Sequence, residues 1–380
     1  MPWQEVSTVS LRQEFVSLAG SSAVPFSTLC KRFGISRKTG YKWIGRAQSQ
    51  DPAALQDRSR RPLHSPRHTA PELQALVVAL RREHPAWGGR KLAHWFARHG
   101  HTALPAPSTI THILHRHGLI GLDTALPHPR YQRFEHARPN DLWQMDFKGD
   151  FLTGSGRCHA LTVLDDHSRY NLVLQSCSSQ NTREVQTHLT EAFERYGLPV
   201  RFNADRGQPW GAPREVHGLS QLSVWLVRLG IRIGFSRPNH PQTNGKDERF
   251  HRSLKAEVLN GRAFVSLAEA QSAFDRWRPV YNHERPHEAI GYAVPAERYQ
   301  PSPRAFPQQL PPIEYGPDDV VAKVTWNGEV RFQSRKLKVP NSLMGLLIAF
   351  RPRAGEDGRY DLYFCHHRFS ELDLQNTSPR

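Results

Sequence analysis

The sequence has 380 residues and a formal charge of +16, with 51 Lys+Arg against 35 Asp+Glu. This length predicts two to four domains and is sufficient for a sizeable core. The four cysteines lie far apart with no CxxC pair, which argues against a zinc finger or a disulfide framework and favours a reducing compartment. No signal peptide and no run of 18 apolar residues occurs, so we expect a cytoplasmic protein without a membrane partner.

The positive charge is concentrated in the N-terminal part of the chain. Residues 1–140 hold 20 Lys+Arg and 8 Asp+Glu, which leaves only +4 for the remaining 240 residues. Such a region favours a polyanionic partner, most economically nucleic acid, because neutralising phosphates releases counterions. A well-solvated basic surface is the alternative interpretation.

Three stretches rich in Pro, Arg and small polar residues show no sustained period and are predicted to be linkers. They are residues 51–70, 122–140 and 300–312. The regions between them are 1–50, 71–121, 141–300 and 313–376.

The first region, 1–50, contains the pattern of a helix-turn-helix in FSTLCKRFGISRKTGYKWIGRA. Gly34 lies in the predicted turn and Ser36 is the predicted N-cap of the second helix. We expect Ile35, Tyr41 and Ile44 to pack inward. The residues expected to face the major groove are Arg37, Lys38 and Lys42. A plain helical hairpin with a solvated basic face remains the alternative.

The second region, 71–121, predicts three more helices in PELQALVVALRREHP, GGRKLAHWFARHG and PSTITHILHRHGLI, the last capped by Ser108. This pattern predicts a second helix-turn-helix DNA-binding domain. Its outward, DNA-facing candidates are Thr109, Thr111, His112 and Arg116. The histidines of this region lack cysteine or acidic partners, so we do not expect zinc.

The third region, 141–300, changes to a mixed pattern of strands and helices. LWQMDF, RCHALTVLDD and RYNLVLQSC predict three consecutive strands, followed by a helix over residues 182–196. The strand VRFNAD, a helix in LSQLSVWLVRLG and the strand IRIGF follow. This order predicts an α/β domain with a mixed sheet and helices on its faces.

The last region, 313–376, alternates apolar and polar residues in four short runs and predicts a small antiparallel β-barrel. Its cations make it a candidate DNA contact, with a simple packing module as an equal alternative. These cations are Arg331, Arg335, Lys336 and Lys338.

Two aspartates lie at predicted strand positions where a sheet presents ligands. Asp146 lies on the less apolar face of LWQMDF, and Asp205 ends the strand VRFNAD. For either residue alone, a turn-forming or capping role is the simpler interpretation.

Two adjacent acids follow in NHPQTNGKDERFHRSLKAEV. The prolines place the helix start near Asn244, so Asp247 becomes the N3 residue and is predicted to form a capping box with the backbone of Asn244. At 100° per residue Asp247 shares the apolar face of the helix, whereas Glu248 shares a face with Arg252 and Lys255. Glu248 is therefore the candidate metal ligand, and Arg252 and Lys255 are candidate DNA phosphate ligands.

Three carboxylates from two strands and a helix match the ligand preference of Mg²⁺ or Mn²⁺. Two such ions, roughly 3.5–4 Å apart, promote in-line displacement at phosphorus. No GxSxG, GxxxxGK[ST] or HExxH motif is present to indicate another chemistry.

With WQMD, ADRG and PQTNGKDERFHRSLKAEV in this order, the chain resembles bacterial insertion-sequence transposases of the DDE type, which have a retroviral-integrase-like core. The resemblance covers nearly the whole chain, including DRSRRP and YNHERPHEAIGYAVPAER. It implies an RNase H-like core, a catalytic and metal-binding triad of Asp146, Asp205 and Glu248, and dependence on Mg²⁺ or Mn²⁺. It also implies a location at the bacterial nucleoid.

Two departures from the family pattern concern the second acid. The family commonly has 35 residues between its second and third acids, whereas 42 separate Asp205 from Glu248 here. Arg206 stands where the family usually has Asn. Neither change removes an acid.

The resemblance implies a transposase that binds the terminal inverted repeats of its element, cleaves the ends and joins them to target DNA. Its partners would be double-stranded DNA and at least one further copy of the chain, since two ends are joined. The alternatives are an RNase H-like nuclease without strand transfer and a non-catalytic regulator derived from a transposase.

Overall fold

The computed structural model describes residues 7–21, 24–49, 51, 53–58, 69–121, 134–205, 207–212, 218–235 and 245–375. The chain divides into two compact units at residues 68 and 69. None of the helices within the described ranges is long and apolar enough to cross a membrane.

The first unit is built from three helices around a small apolar cluster. The helices are α1 (Thr8–Gly20), α2 (Phe26–Arg32) and α3 (Arg37–Ala47). Ser36 caps α3 by accepting a hydrogen bond from the Thr39 N–H at 3.2 Å, which confirms the predicted start of this helix. The predicted inward position of Tyr41 is wrong: the residue is 58% exposed and its ring lies tilted against that of Phe26, whereas Trp43 is buried.

The second unit begins with three helices of its own. They are α4 (Pro71–Glu83), α5 (Gly89–Arg98) and α6 (Pro107–Arg116). The predicted N-cap Ser108 is wrong, because α6 begins at Pro107, whose fixed φ is already helical, and Ala106 is the cap residue. Buried apolar residues from all three helices form one cluster around Trp87.

A five-stranded mixed sheet follows, in the order β3-β2-β1-β4-β5. Its strands are β1 (Trp143–Thr153), β2 (Gly156–Asp165), β3 (Asn171–Cys177), β4 (Arg201–Ala204) and β5 (Arg232–Phe235). The first three strands are antiparallel neighbours, whereas β4 runs parallel to both β1 and β5. The predicted strands and the mixed character of the sheet are confirmed.

Helices cover both faces of this sheet. They are α7 (Thr182–Tyr196), α8 (Gln221–Arg228), α9 (Gly245–Leu254), α10 (Leu267–Pro279) and α11 (Pro295–Arg298), with π-helical turns at Lys255–Leu259 and Val280–Glu284. Side chains of α7 and α8 pack on one face around Trp143. Side chains of α9 and α10 pack on the other face around Phe250 and Phe274. The sheet is therefore buried between two helical layers, as expected for an α/β core.

Residues 300–312, predicted as a linker, lie against the core without regular secondary structure. The guanidinium of Arg304 donates to the carbonyls of Pro199, Leu229 and Gly230, and Phe306 packs against the core cluster. The sequence of this stretch has no apolar period because it contacts the core through individual side chains and not through one face of a helix or strand.

The C-terminal strands do not close into the small barrel that we predicted. They are β6 (Val320–Lys323), β7 (Glu329–Phe332), β8 (Arg335–Lys338), β9 (Leu347–Pro352), β10 (Arg359–Phe364) and β11 (His367–Asp373). They form a four-stranded sheet β11-β10-β9-β6 and a separate hairpin β7-β8 that share one apolar core. The guanidinium of Arg335 donates to the carbonyls of Asp373 and Leu374, so a side chain bridges β8 and β11 where a closed barrel needs a backbone ladder.

Candidate active site

Asp146 and Asp205 lie on neighbouring parallel strands at matching levels. Trp143 pairs with Phe202 and Gln144 with Asn203, and continuing this register sets Asp205 beside Asp146. Adjacent strands lie about 4.8 Å apart. The alternation predicted for LWQMDF and the strand end predicted at VRFNAD thus bring two carboxylates to one place.

The third acid comes from α9, which packs across β1 and β2. Phe250, Leu254 and Val258 are buried as predicted, and this orientation leaves Glu248 exposed on the next face of the helix. The three acids interact electrostatically. Burial raises the pKa of the Asp146 carboxyl to about 7, and repulsion from the charges of Asp205 and Glu248 adds to the rise. A cluster of this kind is stabilised by a bound cation.

Asp247 is completely buried beside these acids. Its two carboxylate oxygens have no hydrogen-bond partner among the described residues, and the predicted cap residue Asn244 lies outside them. Burial raises the pKa of Asp247 well above its ordinary value, and the charges of Asp146, Asp166 and Asp205 raise it further. The side chain is therefore enclosed under the helix with no access to a ligand at the surface, and its environment favours the protonated form of the carboxyl.

A buried hydrogen-bond network joins the start of α9 to the turn after β2. Asp166 has a fully buried side chain that forms an ion pair with the Nζ of Lys246. The same carboxylate accepts hydrogen bonds from Gln144 Nε2 at 2.8 Å and from the His136 N–H at 2.9 Å. In the sequence analysis Asp166 is only the last residue of the segment RCHALTVLDD, without a site role. No local pattern pairs Asp166 with Lys246, because the two residues lie 80 positions apart in the chain.

His251 was also missed, although it lies one turn after Glu248 on α9. Its Nε2 is 2.8 Å from the Oγ1 of Thr162, and its Nδ1 is 3.9 Å from Oδ2 of Asp146. Burial lowers the pKa of the imidazole to about 3, and the charge of Lys148 lowers it further. His251 is therefore a neutral imidazole next to the acids, not an ion-pair partner.

Arg252 and Lys255 are exposed, as is Glu248 on the same side of the helix. Lys255 also lies near Lys148 of β1. Burial lowers the pKa of Lys148, and the charge of Lys255 lowers it further. Lys148 therefore lies close to Lys255 and also to His251, which is next to Asp146.

The DNA-facing candidates of the first unit are exposed on α3. Arg37, Lys38 and Lys42 all lie at the surface, and the Nζ of Lys42 lies 4.8 Å from the centre of the Trp43 ring. The structure places them on one helix, and their contact with DNA remains a prediction.

The DNA-facing candidates of the second helical region differ in their exposure and in their contacts with other residues of the protein. Thr111 Oγ1 donates to the Pro107 carbonyl. Thr111 also lies where α6 packs closely against Gly89 of α5. Arg116 donates to Gln74 on α4 at 3.3 Å. His112 is exposed and Thr109 is half-buried. Thr111 and Arg116 are therefore engaged in contacts within this helical region.

Helix α5 contacts the segment that contains α11. The His94 ring of α5 stacks on Tyr292 at 4.0 Å, and the Arg98 guanidinium forms a bidentate ion pair with Glu297. Helix α5 therefore faces this segment.

Comparison with protein families identifies four kinds of segment along the chain. Residues 12–62 match a helix-turn-helix domain and residues 39–114 match a homeodomain-like domain. Residues 136–241 and 229–295 match two descriptions of the integrase core domain. Residues 319–380 match the C-terminal domain of IS481 family transposases.

The relatives are proteins of bacterial insertion elements. The chain is 28% identical to an uncharacterized 31.7 kDa protein of insertion element IS407 from Burkholderia multivorans, over 42% of this chain and 55% of that protein. It is 30% identical to an uncharacterized 39.2 kDa protein of IS476 from Xanthomonas euvesicatoria, over 44% of this chain and 46% of that protein. It is 26% identical to the transposase of IS904 from Lactococcus lactis, over 47% of this chain and 68% of that protein.

The chain thus spans about half the length of the first two of these relatives. The family matches, in contrast, run in order from the helix-turn-helix units through the integrase core to the transposase C-terminal domain. This protein belongs to the bacterial insertion-sequence transposases with an integrase-like core.

Proposed function

We propose that this protein binds the terminal inverted repeats of an insertion sequence, cleaves the DNA at the element ends and joins the new 3′ ends to target DNA. The observation that carries the proposal is the position of Asp146, Asp205 and Glu248 within the integrase core. These acids repel one another, so the cluster is unfavourable without a positive charge beside it. A purely structural role would not explain why the three acids lie together.

The donor set suits Mg²⁺ or Mn²⁺, because both ions take carboxylate oxygens. Asp146, Asp205 and Glu248 would hold two such ions, which would lower the barrier to in-line displacement at phosphorus by stabilising charge on the attacking and leaving oxygens. Arg252 and Lys255 would hold DNA phosphates beside the acids. Asp247 would anchor the helix and keep Glu248 turned outward.

The reaction has two displacements. In the first, a water oxygen forms a bond to phosphorus at the element end, and the 3′ oxygen leaves with the bonding pair and takes up a proton. In the second, that 3′-hydroxyl attacks a target phosphodiester and a target 3′-hydroxyl is released. Because two element ends are joined to one target, we propose that at least two copies of the chain act together on DNA.

A strand-transfer assay tests this function, with element ends taken from inverted repeats in the DNA that flanks the gene. Glu248→Gln should lower joining at least about 100-fold, equivalent to about 2.7 kcal/mol of barrier. Asp247→Asn is the matched control, and it should stay within about tenfold of wild type. Retained activity in Glu248→Gln together with loss in Asp247→Asn would show that the assignment of the two acids is wrong.

The same assay distinguishes the alternatives. A nuclease without strand transfer would yield cut ends and no joined products. A non-catalytic regulator would bind the ends equally well after all three acids are neutralised, and it would show no metal-dependent cleavage.

A further inference from the structure

The environment of His251 fixes which of its ring nitrogens carries the proton. The Thr162 hydroxyl donates its single proton to the Asp146 carbonyl at 3.0 Å. The contact of 2.8 Å between Thr162 Oγ1 and His251 Nε2 must then have the imidazole as donor. A neutral ring with its proton on Nε2 has a lone pair on Nδ1.

That lone pair lies on the side of the ring that faces the acid cluster. Nδ1 is 3.9 Å from Oδ2 of Asp146, and the His251 side chain is only 13% exposed. Two acceptors at this distance form no hydrogen bond with each other. The space between them is suited to a cation that both can bind.

The distance agrees with shared coordination. Two ligands of one octahedral ion, each at about 2.1 Å, lie about 3.0 Å apart when adjacent and about 4.2 Å apart when opposite. The separation of 3.9 Å between Nδ1 of His251 and Oδ2 of Asp146 is close to the distance between opposite ligands. The opposite nitrogen already donates to Thr162, which is the outer hydrogen bond that metal-binding histidines normally make.

We propose that His251 is a fourth protein ligand of the metal centre, binding through Nδ1 the same ion as Asp146. This inference rests on the proposed function of the acid triad as a metal site. A nitrogen ligand favours Mn²⁺ over Mg²⁺, because imidazole suits transition-metal ions better than it suits Mg²⁺. The metal preference of this protein would therefore differ from that of a site made of carboxylates alone.

The test is pulsed electron paramagnetic resonance of the full-length protein with Mn²⁺ alone. Direct binding of an imidazole gives a ¹⁴N modulation, which changes to a ¹⁵N pattern when the protein is made with ¹⁵N-labelled histidine. We expect this modulation in the wild type and its loss in His251→Phe, which keeps the ring volume and removes both nitrogens. The Mn²⁺ affinity should also fall at least about tenfold.

Two further variants control for other sites. Asp146→Asn should remove the same signal, because it removes the shared ligand. His188→Asn should leave it unchanged. His188 is the suitable control because it lies away from the acid cluster, with Cys177 and Glu184, in a group whose possible ligand atoms are within 4.8 Å of one another.

The outcomes separate this inference from the proposed function. Mn²⁺ binding that depends on Asp146 but shows no imidazole modulation would overturn the role of His251 and leave the acid triad as a metal site. Absence of any Mn²⁺ binding that depends on Asp146 would overturn both. A missing imidazole modulation in the unmutated protein would overturn the inference even where His251→Phe fails to fold.

Discussion

Asp247 and Glu248 are adjacent residues with opposite environments. The first is completely buried and has a strongly raised pKa, whereas the second is exposed and contributes its charge to the cluster around Asp146. The difference arises from one step of about 100° around the helix. Burial of Phe250 fixes which of the two acids faces the core.

The burial of Asp247 predicts a specific pH dependence of stability. A carboxyl with a raised folded-state pKa binds a proton in the folded protein that the unfolded chain has already released, so stability falls as the pH rises above about 4. Asp247→Asn should therefore raise the free energy of unfolding at pH 8 by about 1 kcal/mol or more and have a smaller effect near pH 4.

Urea unfolding of the metal-free protein at both pH values measures this effect. Glu248→Gln is the control, since it neutralises an exposed neighbour and should change stability by less than about 0.5 kcal/mol. If Asp247→Asn raised the free energy of unfolding equally at both pH values, the link between the pKa of Asp247 and stability would be wrong.

At the scale of elements, the ion pair between Lys246 and Asp166 fixes the start of α9 to the sheet. The Asp166 carboxylate is fully buried and has Gln144 and the His136 N–H as further partners. Removing one member of such a pair leaves an uncompensated buried charge, which costs about 3–5 kcal/mol. This contact anchors the first turn of α9 and so holds Glu248, two residues later, at a defined place.

A double-mutant cycle of unfolding free energies with Lys246→Met and Asp166→Asn tests this contact. Each single change should destabilise by about 3 kcal/mol or more, and the double mutant should cost clearly less than their sum. The exposed pair of Arg98 and Glu297 is a matched control and should contribute less than about 1 kcal/mol. Additive losses at Lys246 and Asp166 would show that the two residues do not act as a pair.

The close approach of α5 and α6 depends on Gly89. A Cβ at this position would lie 2.3 Å from Thr111 Oγ1 and 2.5 Å from the Pro107 carbonyl oxygen. Because the second of these is backbone, the helices must move apart. We predict that Gly89→Ala destabilises the protein by about 1–3 kcal/mol.

Thermal unfolding compares this variant with Gly45→Ala on α3, where nothing lies within 4 Å of the added Cβ. The control should be stabilised by about 0.5–1 kcal/mol, because alanine is the better helix former. Equal effects of the two substitutions would contradict the packing argument.

At the scale of the whole molecule, the charge distribution assigns DNA attraction mainly to the N-terminal part of the chain. Of the net charge of +16, residues 1–140 carry 20 basic and 8 acidic side chains. The exposed cations of α3 are part of this excess. Each phosphate contact releases counterions, so DNA affinity should fall steeply with salt.

Replacing Arg37, Lys38 and Lys42 together by alanine should reduce the slope of log affinity against log salt by about 2–3 on double-stranded DNA. Fluorescence anisotropy at several salt concentrations measures this slope. The control replaces Arg331 and Lys336, exposed partners on the C-terminal hairpin, by alanine and so distinguishes the two candidate DNA surfaces. An unchanged slope in the first variant would exclude α3 as a phosphate-binding surface.

The sequence by itself determined the elements with strong local signals. The cap Ser36, the strand alternation around Asp146 and the inward face of Phe250 are short-range patterns, and each was confirmed. The order of the motifs also indicated the family. Local periodicity suffices for such features because it reflects which face of one element is buried.

Tertiary structure decided the features that depend on pairs distant in the chain. The ion pair of Asp166 with Lys246 and the position of His251 beside Asp146 join residues about 80 to 105 positions apart. The open C-terminal sheet likewise depends on Arg335 of β8 meeting the end of β11, 38 residues later in the chain. Periodicity in the sequence indicates which face of a helix or strand is buried. It does not indicate which distant residues that face contacts, because those contacts are set by the packing of the whole sheet and its helices.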